Sequence, residues 1–362
     1  MKQHLKIIQL IDSLTPGGAE MMAVNIANAL AEEGMQSHIC ATRLEGDLKL
    51  KIAANVGYLF LNKKRTIDFK AIRQLRIYIK QHQITIIHAH SSSYFLGFIM
   101  KLLNPKLRLI WHDHFGMSEA LDPRPKFPLV WISRFFNATI SVNTLLLEWN
   151  QHYLKVAKNV YLQNFANFNP QEIKQTELKG DEGKRIVCLA NLRPQKDHLN
   201  LLKAFCIVQK VRSDWTLHLV GMDFLDAYSE KIKAYIKEHG LVNHVFLYGS
   251  CSDTSNVLAQ ATIGVLASSS EGLPVALLEY GLMQLPVVTT NVGECGKVIF
   301  NEQNGLVVIK ENEFVVAEAL EVLIKDESKR NIFGTELYEH IKVHYSKEAY
   351  TQQLIGIYCD AN

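Results

Sequence analysis

The feature that most constrains this chain is an alternation repeated from end to end: a short apolar run of strand length, then a stretch with helical periodicity. Lys6–Asp12 (KIIQLID) reads as a buried strand, and Ala19–Glu33 follows with helical spacing, closed by Gly34. Strand-like runs recur at Ser37–Thr42, Tyr58–Leu61, Thr85–Ala89, Leu107–Trp111 and Ala138–Val142. Asp68–Gln81 is the clearest helix between them, opening on an acid and setting Ile72, Leu75 and Ile79 on one face. Such an alternation predicts α/β architecture, with doubly wound parallel sheets covered on both sides. The pattern breaks at Gln163–Gly183, a stretch rich in Asn, Gln, Lys and Glu that reads as a linker. A second series then begins at Arg185–Ala190 and continues through Thr216–Val220, Val245–Leu247, Ile263–Ala267 and Pro286–Thr290; the tail Lys347–Cys359 reads as a helix. A length of 362 residues exceeds what one hydrophobic core organises, and a hydrophobic fraction of 48% supplies two. Two such domains place the carboxyl ends of both sheets around one cleft, where sheets of this kind bind ligands.

Charge and composition narrow the partners. The formal net charge of +3 is too small to indicate nucleic acid, and it suits phosphorylated ligands or an anionic membrane surface. The six cysteines are scattered without a C-x-x-C pair, mostly in apolar runs where a reduced thiol acts as a small hydrophobe. The opening Met-Lys-Gln-His-Leu-Lys enters a strand directly, without the features of a signal peptide. No run reaches the roughly 18 apolar residues of a spanning helix. A cytoplasmic location is expected, with peripheral contact at the inner face of the membrane left open.

Six stretches carry candidate chemistry. In the turn after the first strand, Gly17 and Gly18 let backbone N–H groups approach a bound anion or sugar beside a helix N-terminus. The spacing is not the G-x-G-x-x-G dinucleotide fingerprint, which argues against a nicotinamide cofactor. His88 and His90, and His112 and His114, sit at the ends of successive strands; they suit polar contact with sugar or phosphate, or a metal site. Arg193 and Lys196 place two cations in a strand-to-helix loop, suited to a pyrophosphate. In Ser268–Gly281 (SSSEGLPVALLEYG), Pro274 stands where a helix begins. The backbone there offers amides to phosphate or sugar oxygens, and Glu271 and Glu279 are spaced to grip hydroxyls at two places on a long ligand. Finally, Asp122–Phe136 interleaves Arg124, Lys126 and Arg134 with Phe127, Trp131 and Phe135. This reads either as a membrane-facing segment or as a packed helix with its basic residues outward.

Glu271 and Glu279, in the setting S-E-G-L-P-V-A-L-L-E, match the E-x7-E motif, and the chain here resembles the family 4 retaining glycosyltransferases of the GT-B fold. Gly17-Gly18-Ala19-Glu20 is similar to that family's N-terminal glycine loop, Leu192–His198 to its phosphate-binding loop, and the tail to its returning helix. The resemblance implies two Rossmann-like domains facing across a cleft: an acceptor-side domain at 1–168, a donor domain at 169–345, and a helix at 346–362 crossing back toward the first domain. It further implies that Glu271 contacts hydroxyls of the donor sugar and that Glu279 holds the ribose. Arg193 and Lys196 would bind the diphosphate together with the backbone of the Gly272, Leu273, Val275 and Ala276 stretch. Gly17 and Gly18 would approach the diphosphate, and His112 would lie near the transferred sugar. Many members carry the loop arginine where this chain has Asn191, two positions before Arg193.

The expected function is therefore transfer of a sugar, with retention, from a nucleotide-sugar donor to a saccharide or lipid-linked acceptor, in surface polysaccharide or glycolipid assembly. The nucleotide sugar is a substrate, and no cofactor or metal is expected; the chain contains no Asp-x-Asp. Two rival readings are a metal-dependent hydrolase built on the His-x-His pairs, and a catalytically silent nucleotide-sugar-binding partner of another enzyme.

Overall fold

The computed structural model describes residues 5–116, 121–165 and 174–360 and divides into two compact units. The first holds residues 1–165 and 347–362, the second residues 166–346.

In chain order the first unit contains β1 (Lys6–Ser13), α1 (Gly18–Glu32), β2 (Gln36–Leu44), β3 (Gly57–Phe60), α2 (Phe69–Gln81), β4 (Ile86–His90), α3 (Tyr94–Leu103), β5 (Arg108–Asp113), α4 (Leu129–Ile132), β6 (Ala138–Ser141), α5 (Thr144–Tyr153) and β7 (Asn159–Tyr161). Its seven strands form one sheet in the order β3-β2-β1-β4-β5-β6-β7, every pairing parallel. Parallel strands covered on both faces must be apolar on both sides. Accordingly Ile8, Leu10, Ile87, Ala89, Leu109 and Trp111 join a core with Leu75, Leu96 and Trp149 on one face, while Ile11 and Ile39 pack with Ala23, Val24 and Ala27 of α1 on the other. Local capping fixes the helix starts: Asp68 accepts from Ala71 N (3.2 Å) at α2, and Asn143 from Leu146 N (2.8 Å) at α5.

The second unit contains β8 (Arg185–Leu189), α6 (His198–Gln209), β9 (Thr216–Val220), α7 (Ala227–Glu238), β10 (Val245–Gly249), α8 (Thr254–Ala259), β11 (Ile263–Leu266), α9 (Val275–Leu282), β12 (Val287–Thr290), α10 (Cys295–Val298), β13 (Leu306–Val308), α11 (Glu313–Lys325) and α12 (Glu327–His344). Its six strands run β10-β9-β8-β11-β12-β13, again all parallel. Of the expected linker, 166–173 lies outside the described residues. The amides of Gln175 and Thr176 beyond it are tied to the Asp253 carboxylate at 2.8 and 2.7 Å.

The last helix, α13 (Lys347–Asp360), belongs to the first unit. Lys347 Nζ lies 2.5 Å from Glu32, Lys158 pairs with Asp360 at 3.1 Å, and Arg108 donates to the Tyr358 carbonyl. Tyr358 is buried against the sheet. Among the described residues, no helix is long and apolar enough to cross a membrane.

Candidate functional site

Doubly wound sheets bind ligands beyond the carboxyl ends of their strands, at the point where strand order reverses. In the second unit that point lies between β8 and β11. The loops leaving these two strands carry Arg193–Lys196 and Ser268–Pro274, which are joined directly: Ser269 N donates to Gln195 O at 2.9 Å. That bond brings together two side chains 75 residues apart in sequence, Lys196 Nζ and Glu271 Oε1, at 2.5 Å. The same carboxylate oxygen accepts from Ser268 Oγ at 2.6 Å. Glu271 is 5% exposed, so its charge is both paired and hydrogen-bonded, as a buried carboxylate must be.

The acidic turn is also held from behind. Glu294 N donates to Gly272 O (2.9 Å), and Thr290 Oγ1 to Ser268 O (2.6 Å). Gly293 has φ +53°, with its Cα hydrogen facing the Glu271 carbonyl. Nothing in the local sequence pattern links this loop after β12 to the glutamates; its only signal is a glycine beside an acid after a strand.

Helix α9 starts at Val275, so Pro274 is its N-cap residue and not its first helical residue, and no side chain caps it. Glu271 is therefore not a cap. The N-terminal backbone of α9, at Val275 and Ala276, is oriented as an anion site requires, and Leu273 behind it is buried. Glu279, in the second turn, is half-buried. Arg193 is exposed, and its guanidinium carbon stacks 3.4 Å from the centre of the Phe224 ring. Asn191 accepts from Met222 N at 2.7 Å, a bond within the β8–β9 strand ends.

Gly17, Gly18 and His112 belong to the first unit. Gly17 has extended backbone and is the N-cap of α1; a Cβ built on Gly18 meets nothing within 4 Å. The glycine at 18 is not needed for packing, which leaves open space beside the helix N-terminus.

The four histidines at the ends of β4 and β5 form one stacked layer. His90 Nε2–H donates to Gln9 Oε1 (2.9 Å), which leaves His90 Nδ1 to accept from His114 Nε2–H (3.0 Å). His88 Nδ1 shares a proton with Tyr358 Oη at 2.7 Å, so α13 seals the layer. Burial lowers every one of these imidazoles, His88 and His114 to about 3 and His90 and His112 well below the ordinary value, with repulsion from neighbouring histidines adding to it for His88, His90 and His112. All four are neutral at neutral pH. Neither ring nitrogen of His112 has a partner among the described residues.

The nitrogens of His88, His90 and His112 lie within 4.8 Å of one another, which is metal-ligand chemistry. The ring geometry argues against that use. His88 stacks on His90 at 4.5 Å with 19° between planes, and on His112 at 5.2 Å with 15°. A ring-nitrogen lone pair lies in the plane of its ring, so face-to-face rings do not aim at a common ion. The hydrolase reading has no support here.

Asp122–Phe136 departs from the reading of basic residues outward. Arg124 is buried and bidentate to Asp113, both bonds 2.8 Å, with Trp149 stacked at 4.2 Å; Lys126 and Arg134 are exposed as expected.

Comparison with known proteins bears on both units. The family model described as "Glycosyltransferase Family 4" matches residues 16–161, and "Glycosyl transferases group 1" matches 169–340. An uncharacterized glycosyltransferase of Haemophilus influenzae is 24% identical over 321 residues, 86% of this chain and 87% of that protein. A Campylobacter jejuni alpha-1,4-N-acetyl-D-galactosaminyltransferase, named for a diphosphoundecaprenol-linked saccharide (PP-undecaprenol), is 24% identical over 336 residues, 90% of each chain. In structure, Anabaena HepE in complex with UDP-glucose superposes with a TM-score of 0.80 at 17% identity, covering 99% of this chain and 100% of that one. The first model thus spans β2 to β7, the second spans the whole second sheet and includes the Lys196–Glu271 pair, and the chain belongs to the family 4 glycosyltransferases, with the GT-B fold.

Proposed function

We propose that this enzyme is a retaining, metal-independent glycosyltransferase that takes a sugar from a nucleotide-sugar donor, with a UDP-sugar the first candidate. The observation that carries the reading is the Lys196–Glu271–Ser268 constellation at the strand-order reversal of the second sheet. Its parts suit the two ends of such a donor. Lys196 and the amides of Val275 and Ala276 supply positive potential for a diphosphate, and Glu271 and Glu279 supply acceptors for sugar and ribose hydroxyls. In the reaction, the bond from the anomeric carbon to the β-phosphate oxygen breaks and charge grows on that phosphate, where a preorganised cation and helix N-terminus stabilise it. The acceptor oxygen bonds to the same face of the anomeric carbon, and its proton passes to the departing phosphate oxygen. The HepE complex supports UDP as the nucleotide. The Campylobacter relative supports a lipid-linked saccharide acceptor, in surface polysaccharide or glycolipid assembly.

Purified protein incubated with a panel of nucleotide sugars, with and without EDTA, tests the reading. One donor is expected to turn over at an unchanged rate after chelation, and NMR of the product is expected to show the donor's anomeric configuration. Activity lost to EDTA and restored by Mg²⁺ removes metal independence, and an inverted product removes retention.

A cytoplasmic enzyme acting on a lipid-linked acceptor would work at the membrane surface, and one face of the first unit suits this. Val130 N donates to Lys126 O (2.8 Å) and Ile132 N to Pro128 O (3.0 Å), so Phe127 and Trp131 stand one helical turn apart. They are 82% and 48% exposed, with Lys126 and Arg134 alongside. The protein is expected to sediment with vesicles containing anionic lipid, and Phe127→Ser/Trp131→Ser to reduce the bound fraction. Equal sedimentation of the double variant would dismiss this face.

A further inference from the structure

In the second unit strand order reverses between β8 and β11, and these two strands pair only at Ile186–Ile263 and Val187–Gly264. Beyond that point the ladder between them ends, and the chain continues into the loops that carry Lys196 and Glu271. A side chain bridges the gap. Tyr280, the residue after Glu279 in α9, is fully buried and sends its hydroxyl between the strands. The Leu189 amide of β8 donates to it at 2.7 Å. The hydroxyl in turn faces the carbonyl oxygens of Val265 in β11 (3.3 Å) and Val187 in β8 (3.4 Å), donating to one of them.

A glycine makes room for the ring. A Cβ on Gly264 would fall 2.8 Å from Cδ2 of Tyr280 and 2.9 Å from its Cγ, so β11 gives up a side chain where the ring lies against the sheet. Glycine inside a strand weakens it, and marks a place where another group approaches closely. A phenylalanine ring would fill this space equally well, whereas a hydroxyl buried in a sheet is costly unless its hydrogen bonds are made. Here they are made, and to backbone groups of the kind that join strand to strand in a parallel ladder. The hydroxyl is thus a one-atom spacer between β8 and β11, and it also fixes the rotation of α9, which carries Glu279. Lys196 and Glu271 stand on the loops leaving these two strands and meet at 2.5 Å, a contact that a small shift of either strand would spoil.

We infer that Tyr280 is a positioning residue of the transferase site: its hydroxyl sets the spacing of β8 and β11, and so the register of the Lys196 and Glu271 loops and of Glu279. Its effect on turnover rests on the transferase reading; the spacing does not.

Two variants of the full chain separate position from packing. Tyr280→Phe keeps the ring and removes the spacer. At saturating donor its kcat per folded molecule is expected to fall about 10- to 100-fold, the upper figure being the scale for misplacing a site group by about 1 Å. Tyr280→Ala/Gly264→Phe returns a ring to the same space from the strand, and is expected to recover the thermal stability lost in Tyr280→Ala while kcat stays low. Should one of the two fail to fold, the other carries the test. Wild-type kcat in folded Tyr280→Phe, or kcat recovered together with stability in the ring swap, overturns the inference, since filling space would then be all that Tyr280 does. A measurement without donor stands beside these. Lys196→Met and Glu271→Gln are expected to be coupled in chemical denaturation, and Tyr280→Phe to remove roughly half of that coupling or more. Undiminished coupling overturns the inference as well. If the wild-type protein turns over no nucleotide sugar, the transferase reading falls, and this double-mutant cycle still decides the role of Tyr280.

Discussion

Lys196→Ala is expected to lower kcat by about 10²–10³ at saturating donor, the scale for losing one preorganised electrostatic contact. The leaving diphosphate carries more charge in the transition state than in the ground state, so a cation beside it acts more on turnover than on donor affinity. Lys196 is paired with Glu271 at 2.5 Å. The variant thus also takes its ammonium partner from a buried carboxylate, and some thermal stability is lost as well. Steady-state kinetics alongside thermal unfolding separate the two effects, because a stability loss alone leaves kcat per folded molecule unchanged. Arg193→Ala is expected to cost much less, since its guanidinium is exposed and stacked on Phe224. Wild-type kcat in folded Lys196→Ala would remove this loop from the mechanism.

That pairing marks the boundary of what the sequence discloses. Alternation of strand and helix is a local, periodic signal that places the long strands and α2, whose opening acid Asp68 the structure makes its cap. The three-residue strands β7 and β13 escaped it, because three residues carry no period. His88 and His90 fall on one face of β4 by the two-residue repeat, which is legible; that Tyr358 of α13 covers them is not, since 270 residues separate the pair. Arg124 was read as outward because arginine usually is. Its partner Asp113, at the end of β5, becomes adjacent only when the chain folds back after the strand. Motif spacing identified Glu271 and Lys196 separately. Only the backbone bond from Ser269 to Gln195 made them one site.

Gly293→Ala is expected to damage the site as severely as loss of Lys196, without touching any residue of the motif. Gly293 has φ +53°, a conformation that costs a side-chain-bearing residue about 1–3 kcal/mol. The larger effect is steric. A Cβ there falls 2.1 Å from Glu271 O and 2.7 Å from Gly272 O, and these are backbone atoms with no rotamer to escape into. The loop must retreat or the acidic turn must move, and the bond from Glu294 N to Gly272 O (2.9 Å) couples the two. A displacement near 1 Å of a positioning group costs about 10²-fold in rate, so kcat/KM should fall by at least that much. Gly18→Ala is the control for stability, because its added methyl meets nothing within 4 Å. Thermal unfolding and donor turnover, measured on both variants, check the argument. A Gly293→Ala protein with wild-type kinetics would mean that the loop after β12 plays no part in holding Glu271 or shaping the site.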